Sequence, residues 1–333
     1  MALEIHNAIL HVLNNDGGAS YLSSQELDID SETCEEFVTK HIKKLMNNPS
    51  AKEATFQAES KALAVLRELM EGKIFFKDAS KQLCGMLSDI MQTNVEIPSA
   101  DVLITRFENK GEMYFAILKL NYKECFTHQV NQDDTGADNQ IVKYRAVLPF
   151  DGGKVEEACL IPYEPMVLRI LEKPYPVNGE DVNYFSQLFL ECDTELSKKE
   201  AVKIIQEVTE EINEKFYNGS IETEAKFKAA LIEEAQEEDG VLDLEKVAAK
   251  VFGEVEEVKK EYISMAREAG IHSDLPLGEK ILKQQFGTQR FKADNGIEVK
   301  FPSGLIEDDE VIELKNNADG SITIMLKHLH RAE

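Results

Sequence analysis

The spacing of apolar residues changes period several times along the chain. At the start, Ile5, Ile9, His11 and Leu13 alternate with Ala8, Leu10 and Val12. The turn residues Asn14-Asn15-Asp16-Gly17-Gly18 follow, so a hairpin returning through residues 19–24 is expected. The period then becomes helical. Asp30 and Ser31 are N-cap candidates ahead of Phe37, Val38, Ile42 and Leu45, and Asn47-Asn48-Pro49 stops that helix. Leu63, Leu66, Leu69 and Met70 predict a second helix over 58–71; Leu83, Met86, Leu87 and Ile90 predict a third over 77–93.

After Pro98 the pattern turns strand-like. Asp101–Phe107 and Met113–Tyr122 are rich in β-branched and aromatic residues and flank the turn Glu108-Asn109-Lys110-Gly111. The polar stretch Asn131–Gln140 reads as a loop, and Ile141–Leu148 with Glu157–Ile161 brackets a second hairpin turn at Asp151-Gly152-Gly153-Lys154. A meander of about four antiparallel strands, with the three helices on one face, is expected. Glu172–Gly179 is dense in chain breakers and marks a domain edge. From Val182 to Ala269 the pattern is almost wholly helical, interrupted at Asn218-Gly219 and ended at Gly270. Beyond Leu275 strands return at Arg290–Ala293, Ile297–Phe301, Val311–Leu314 and Ile322–Leu326, linked by Asp294-Asn295-Gly296 and Asp319-Gly320-Ser321. The expected fold class is α+β: a mainly antiparallel sheet packed with helices, an acidic helical subdomain and C-terminal β-hairpins. The corresponding boundaries are 1–178, 179–275 and 276–333.

Charge narrows the function classes. The 333 residues carry 37 Lys+Arg against 62 Asp+Glu, a net of −25. That excludes a uniformly basic DNA-coating protein and a surface that adheres everywhere to anionic lipid. The acids concentrate in residues 194–275, where 21 acidic and 11 basic side chains leave −10. Such a run is ordinarily the solvated face of helices; the alternative is a surface for a basic protein partner. No window approaches the ~18 apolar residues of a membrane span, and the N-terminal segment lacks the marks of a signal peptide. Five cysteines at 34, 84, 125, 159 and 192 are odd in number and widely spaced. They suggest neither a disulfide framework nor a Cys-x-x-Cys site, and point to a reducing, cytoplasmic compartment.

Enzyme motifs are missing: no nucleophile elbow, phosphate-binding loop, dinucleotide fingerprint or H-E-x-x-H. No catalytic residue, metal or cofactor is expected. His328 and His330 could share a face of a terminal strand as metal ligands do, but a polar tail accounts for them. Asp294, Glu298 and Lys300 spell D-x-x-x-E-x-K, an arrangement nucleases use to hold Mg²⁺; turn chemistry and strand alternation explain the same residues without metal. More informative is a local reversal of charge. Lys280, Lys283, Arg290, Lys292 and Lys300 face only two acids between 280 and 304. Gln284, Gln285, Thr288 and Gln289 lie among them and can donate to phosphate oxygens. These five cations are the candidate DNA-binding residues; the bland alternative is a linker and a hairpin whose phenylalanines are core.

The segments IHNAILHVLN, EEFVTKHIKKL, IPSADVLITRF, YFAILKLNYKECFTH, VLPFDGGKVEEACLI, YFSQLFLECDTELSKKE and GIEVKFPSGL with DGSITIMLK resemble, in this order, the bacterial nucleoid-associated protein family of the NdpA type. The resemblance runs through the whole chain. It implies a cytoplasmic protein of the nucleoid that binds double-stranded DNA without marked sequence preference and is linked to type II topoisomerases. It supplies no catalytic residues to transfer. Three readings follow: a non-enzymatic DNA-binding protein; an interaction module whose acidic helices engage a basic DNA-handling enzyme; and, last, a Mg²⁺-dependent nuclease. The sequence leaves oligomeric state open.

Overall fold

The apolar runs VLITRF and YFAILKL form the middle of one large sheet. In the computed structural model, which describes residues 3–133, 136–150, 153–177, 179–237, 239–272, 274–308, 310–317 and 321–328, the chain divides into two units, Met1–Ser197 and Lys198–Glu333. The first unit runs β1 (Glu4–Leu13), α1 (Glu32–Met46), β2 (Lys52–Phe56), α2 (Lys61–Met70), α3 (Phe76–Thr93), β3 (Ala100–Asn109), β4 (Glu112–Asn121), β5 (Lys123–Asp133), β6 (Gly136–Val147), β7 (Glu157–Pro162), β8 (Val167–Leu171), β9 (Tyr175–Val177), β10 (Glu180–Val182), a short helix Phe185–Leu190 and β11 (Cys192–Thr194). Seven of these strands pair antiparallel in the order β1-β3-β4-β7-β8-β2-β11.

Strands β3 and β4 lie inside that sheet and are apolar on both sides, so both faces need cover. Ile104, Phe115 and Ile117 meet α2, α3 and the short helix through Leu66, Leu83, Leu87 and Phe185. On the other face Leu103, Phe107 and Leu118 meet Val38, Ile42 and Leu45 of α1. The expectation that all three early helices share one face is therefore corrected: α1 crosses to the opposite side. The Arg169 guanidinium fixes it there, donating to the Met46 carbonyl at 2.5 Å and the Asn48 carbonyl at 3.3 Å at the electronegative end of α1.

Other expectations also change. The segment after Gly18 forms no return strand; it makes one bridge, Tyr21 to Val12, and the Ser23 N–H then bonds the His11 ring instead of the ladder. Asn131–Asp133 and Gly136–Gln140 are strand, where a loop was expected; the two residues between them lie outside the described residues. Strands β5 and β6 pair with each other, from Lys123↔Val147 to Asp133↔Gly136. Ile141–Val147 thus partners β5, while β7 lies between β4 and β8, so the hairpin expected across Asp151–Lys154 does not form; Asp151 and Gly152 lie outside the described residues. Helix does not start at Val182 either: a three-residue strand, β11, intervenes before the first long helix.

One polar cluster is enclosed within the sheet's helix-covered face. Lys119 and Glu157 are cross-strand partners, both buried, with Nζ to Oε2 at 3.2 Å. Asn121 bonds both, accepting from Lys119 at 2.5 Å and donating to Glu157 at 2.9 Å, and the Tyr184 hydroxyl donates to the other Glu157 oxygen. Burial pulls the Lys119 ammonium down, against the Glu157 charge that holds it up; burial first, then Glu157, pushes the Tyr184 phenol upward. Cys84, Cys159 and Cys192 are buried free thiols, the last pushed up to about 12 chiefly by burial.

The second unit comprises α4 (Lys198–Tyr217), α5 (Ile221–Glu237), β12 (Val241–Leu242), α6 (Leu244–Phe252), α7 (Glu256–Glu268), β13 (Leu275–Pro276), α8 (Glu279–Phe286), β14 (Thr288–Lys292), β15 (Glu298–Pro302), a 3₁₀ turn Ser303–Glu307, β16 (Ile312–Asn316) and β17 (Ile322–Leu326). Ile205, Ile212, Phe227, Leu231, Phe252 and Tyr262 form its main core. Asp243 caps α6 by accepting from the Glu245 and Lys246 N–H groups at 2.8 and 3.2 Å. The mixed α+β class holds, with helices, the seven-stranded antiparallel sheet and C-terminal strand pairs all present.

Two measurements check this architecture. Leu118 is fully buried between Leu103 and Ala158. Leu118→Asp should therefore unfold the first unit, because an unpaired buried carboxylate costs several kcal/mol, about 3–5; a soluble variant with an unchanged melting temperature would refute the placement. His11 is also buried. Its Nδ1 accepts from the Ser23 N–H at 2.9 Å, and Nε2 lies 3.0 Å from Ser80 Oγ, whose own hydrogen goes to the Lys77 carbonyl. Burial, then the nearby Lys81 charge, lowers its pKa from 6.5 to about 4. The folded state thus binds fewer protons than the unfolded chain across that window. Stability is fully present above pH ~6.5 and falls as pH drops towards ~4, by up to about 3 kcal/mol from this group. Urea midpoints at pH 7 and pH 4.5 should show a smaller acid loss in His11→Gln than in the parent chain; equal losses would contradict the assignment.

Candidate nucleic-acid interface

Between Glu279 and Pro302 the chain folds as a short helix followed at once by a hairpin. Leu282 and Phe286, one turn apart on α8, are buried in the main core of the unit. Gly287 ends the helix; a Cβ there would collide with the Lys283 carbonyl, and its absence lets the chain turn directly into β14. Period-two alternation then sorts the hairpin's side chains. Cross-strand partners Gln289↔Phe301 and Phe291↔Val299 share one face; Arg290↔Lys300 and Lys292↔Glu298 share the other.

The first of these faces is anchored. Phe301 is buried with Ala225 and Ala229 of α5, and Phe291 and Val299 pack against the same cluster. The buried Gln289 amide donates to the Ala225 carbonyl at 2.9 Å. Ser303 ties the hairpin base to α8, its N–H to the Gly287 carbonyl at 3.1 Å and its hydroxyl to the Phe286 carbonyl. With that face held down, Arg290, Lys292 and Lys300 stand outward and exposed beside Glu298.

All five cations expected from the sequence are exposed. Three of them, Arg290, Lys292 and Lys300, are brought onto one face; Lys280 and Lys283 stand on α8. Glu298 holds two of the hairpin cations, Arg290 Nε at 2.7 Å and Lys300 Nζ at 3.3 Å, while Lys283 is engaged by Glu279. Among the described residues Lys280 and Lys292 make no ion pair. The hairpin face carries three cations against one carboxylate.

The D-x-x-x-E-x-K residues are differently occupied. Asp294 sits in the hairpin turn, its carboxylate accepting the Asn295 N–H at 2.7 Å. Glu298 is clamped between Arg290 and Lys300, whose hydrogen bonds, Arg290's first, keep its carboxyl below the usual range. His328 is described but His330 is not, so the terminal histidine pair lies outside the described residues.

A family model described as nucleoid-associated protein YejK matches residues 9–332 of the chain. The chain belongs to this family. Membership bears out the NdpA-type resemblance and supports a DNA-binding role at the bacterial nucleoid. No curated protein matches the chain. No helix among the described residues is long and apolar enough to cross a membrane.

Within this nucleoid-associated chain several cations of the acidic helices are engaged by their own neighbours. Lys250 reaches Glu233, Glu234 and Glu237 at 3.1, 3.4 and 2.8 Å, Lys215 meets Glu261 at 2.6 Å and Arg267 meets Glu245 at 3.2 Å. Surplus carboxylates face solvent, including Glu210, Glu211 and Glu214 on α4. Sequence reasoning missed helix α8, reading its residues as linker. The available signal was Leu282 and Phe286 at helical spacing, too short a stretch to register as a helix. The enclosed Lys119–Glu157 pair was also missed, since β4 reads as apolar around its lysine.

Proposed function

We propose that the chain binds duplex DNA without marked sequence preference through the outward face of the β14–β15 hairpin, with Lys280 and Lys283 of α8 adding to it, and acts as a binding protein, not as an enzyme. The observation that carries this reading is the sorting of Arg290, Lys292 and Lys300 onto one exposed face by burial of the other. Guanidinium and ammonium groups on a two-stranded ribbon suit phosphate oxygens, and phosphate contacts carry no base information. Elsewhere a chain of net −25 repels duplex DNA, so the contact is local and strongly salt-dependent.

A second reading draws on the exposed Glu210, Glu211 and Glu214 of α4. These exposed acids suit a basic patch on a DNA-handling enzyme such as a type II topoisomerase subunit. That partnership concentrates the protein at DNA without demanding tight direct affinity.

Salt titrations of duplex binding separate the possibilities. Arg290→Ala, Lys292→Ala and Lys300→Ala together should weaken binding equally across sequences and flatten the log–log salt slope by roughly 2–3, at about 0.9 per phosphate neutralised. An unaltered slope in the folded variant moves the DNA surface elsewhere. Glu298→Gln gives opposite signs for the two chemistries. It releases Arg290 and Lys300 and should strengthen DNA binding, whereas a nuclease would lose Mg²⁺-dependent plasmid nicking. Nicking by the parent chain that disappears in Glu298→Gln would overturn the binding-protein reading.

A further inference from the structure

A cleft of about 640 Å³ opens in the first unit, where the segment joining α2 to α3 meets the paired strands β1 and β3. Its lining includes Arg106 of β3, Asn7 opposite it on β1, Gln25, Glu26, Phe75 and Lys77. That volume lies within the ~300–1,000 Å³ of small-molecule sites. The charge of the lining runs against that of the chain. With 62 acidic against 37 basic residues, a cation ordinarily finds a carboxylate. Arg106 and Lys77 are half-buried, yet among the described residues neither makes an ion pair, and Arg106 Nε is enclosed without a hydrogen bond. Tyr163, whose phenol burial pushes up against the pull of Arg106, stays neutral and offers no counter-charge. Glu26 is held by the Asn7 amide at 2.8 Å instead. Lys81, one turn beyond Lys77, adds positive charge at the rim, its ammonium donating to Ser24 Oγ at 3.3 Å. Half-buried cations without a counter-charge are unfavourable, so the cleft favours an anion.

Phe75 narrows the class of anion. Its ring is 80% exposed within the same lining. It stands at the N-cap position of α3 yet makes no cap bond, so it serves neither the helix nor the core. We propose that the cleft binds a nucleotide, with Arg106 and Lys77 on its phosphate and its base stacked on Phe75. Guanidinium and ammonium groups suit phosphate oxygens, and any base offers a π-face to an aromatic ring. The Asn7 and Gln25 amides supply polar groups for the ribose or the base edge. Inorganic phosphate would leave the ring in water, and an apolar ligand would leave the cations unpaired. The same chemistry is offered by a free nucleotide and by the terminal nucleotide of a strand. The site belongs to the first unit, whereas the basic hairpin belongs to the second.

Equilibrium dialysis of the full chain against each of the four ribonucleoside 5′-monophosphates tests this. At least one should bind with a Kd below about 1 mM, and its nucleoside and inorganic phosphate should each bind at least about tenfold more weakly. Phe75→Ala, at a ring exposed enough to leave the fold intact, should weaken the nucleotide about tenfold, the scale of one base–aromatic stack, and Phe75→Trp should retain it. Lys77→Ala and Arg106→Gln should also weaken it, with circular dichroism confirming that every variant folds. The combined Arg290→Ala, Lys292→Ala and Lys300→Ala chain should bind the nucleotide as the parent does. Displacement by a 5′-phosphorylated oligonucleotide, but not by its unphosphorylated form, would assign the site to strand ends; no displacement by either would assign it to free nucleotides. A parent chain that binds none of the four up to about 1 mM overturns the proposal. So does a bound nucleotide that survives both Phe75→Ala and Lys77→Ala, or that is lost in the hairpin variant instead.

Discussion

Burial of one side of the β14–β15 hairpin against α5 is the constraint from which the exposed basic surface follows. A two-stranded ribbon has no core of its own, so its orientation comes from whichever face is held. Here Phe301 sits among Ala225 and Ala229, small residues that let the ribbon approach the helix, and Gln289 satisfies its amide on the Ala225 carbonyl. Alternation then leaves Arg290, Lys292 and Lys300 no choice but solvent. A one-residue slip would bury the cations and expose the phenylalanine ring. The basic surface is thus a consequence of apolar packing, and Glu298 tempers it by holding two of its three charges.

The first unit follows the same logic on a larger scale. Its central strands carry apolar residues on both sides, and the sheet becomes the middle layer between α1 and the α2, α3 pair. The exception is Lys119 with Glu157, a charge pair taken out of water inside that layer. Buried ion pairs seldom add net stability, because desolvation offsets their attraction. Asn121 and Tyr184 complete the hydrogen bonds of the two charges, which makes the arrangement tolerable and fixes the β4–β7 register at one position. The β5–β6 arm follows directly after this cluster, beginning at Lys123.

How much of this was legible in the sequence depended on periodicity. The helices from α1 to α3, the helical run beyond them with its break at Asn218-Gly219 and its end at Gly270, and the C-terminal strands lay close to where apolar spacing placed them, because each buries one clear stripe. Strand β2 and strand β11 are short, and their pairing, Ala54↔Thr194 among others, joins residues about 140 positions apart that no local pattern connects. The end of the arm was read as a loop because Asn131–Gln140 is polar throughout, without the alternation that marks a half-buried strand. The five candidate cations were visible as a local charge reversal. Their division between helix α8 and the hairpin face was not, since it depends on which side of the ribbon packs against α5.

The central claim, that duplex DNA lies on the outward face of the hairpin, is tested most directly by lysine-reactivity footprinting of the full chain with and without a random-sequence duplex at low salt. The account predicts that Lys292 and Lys300, with Lys280 on the neighbouring helix, lose reactivity when DNA is added, while Lys40, Lys43 and Lys44 of α1 keep theirs. Protection of the α1 lysines with no change at Lys292 and Lys300 would contradict it.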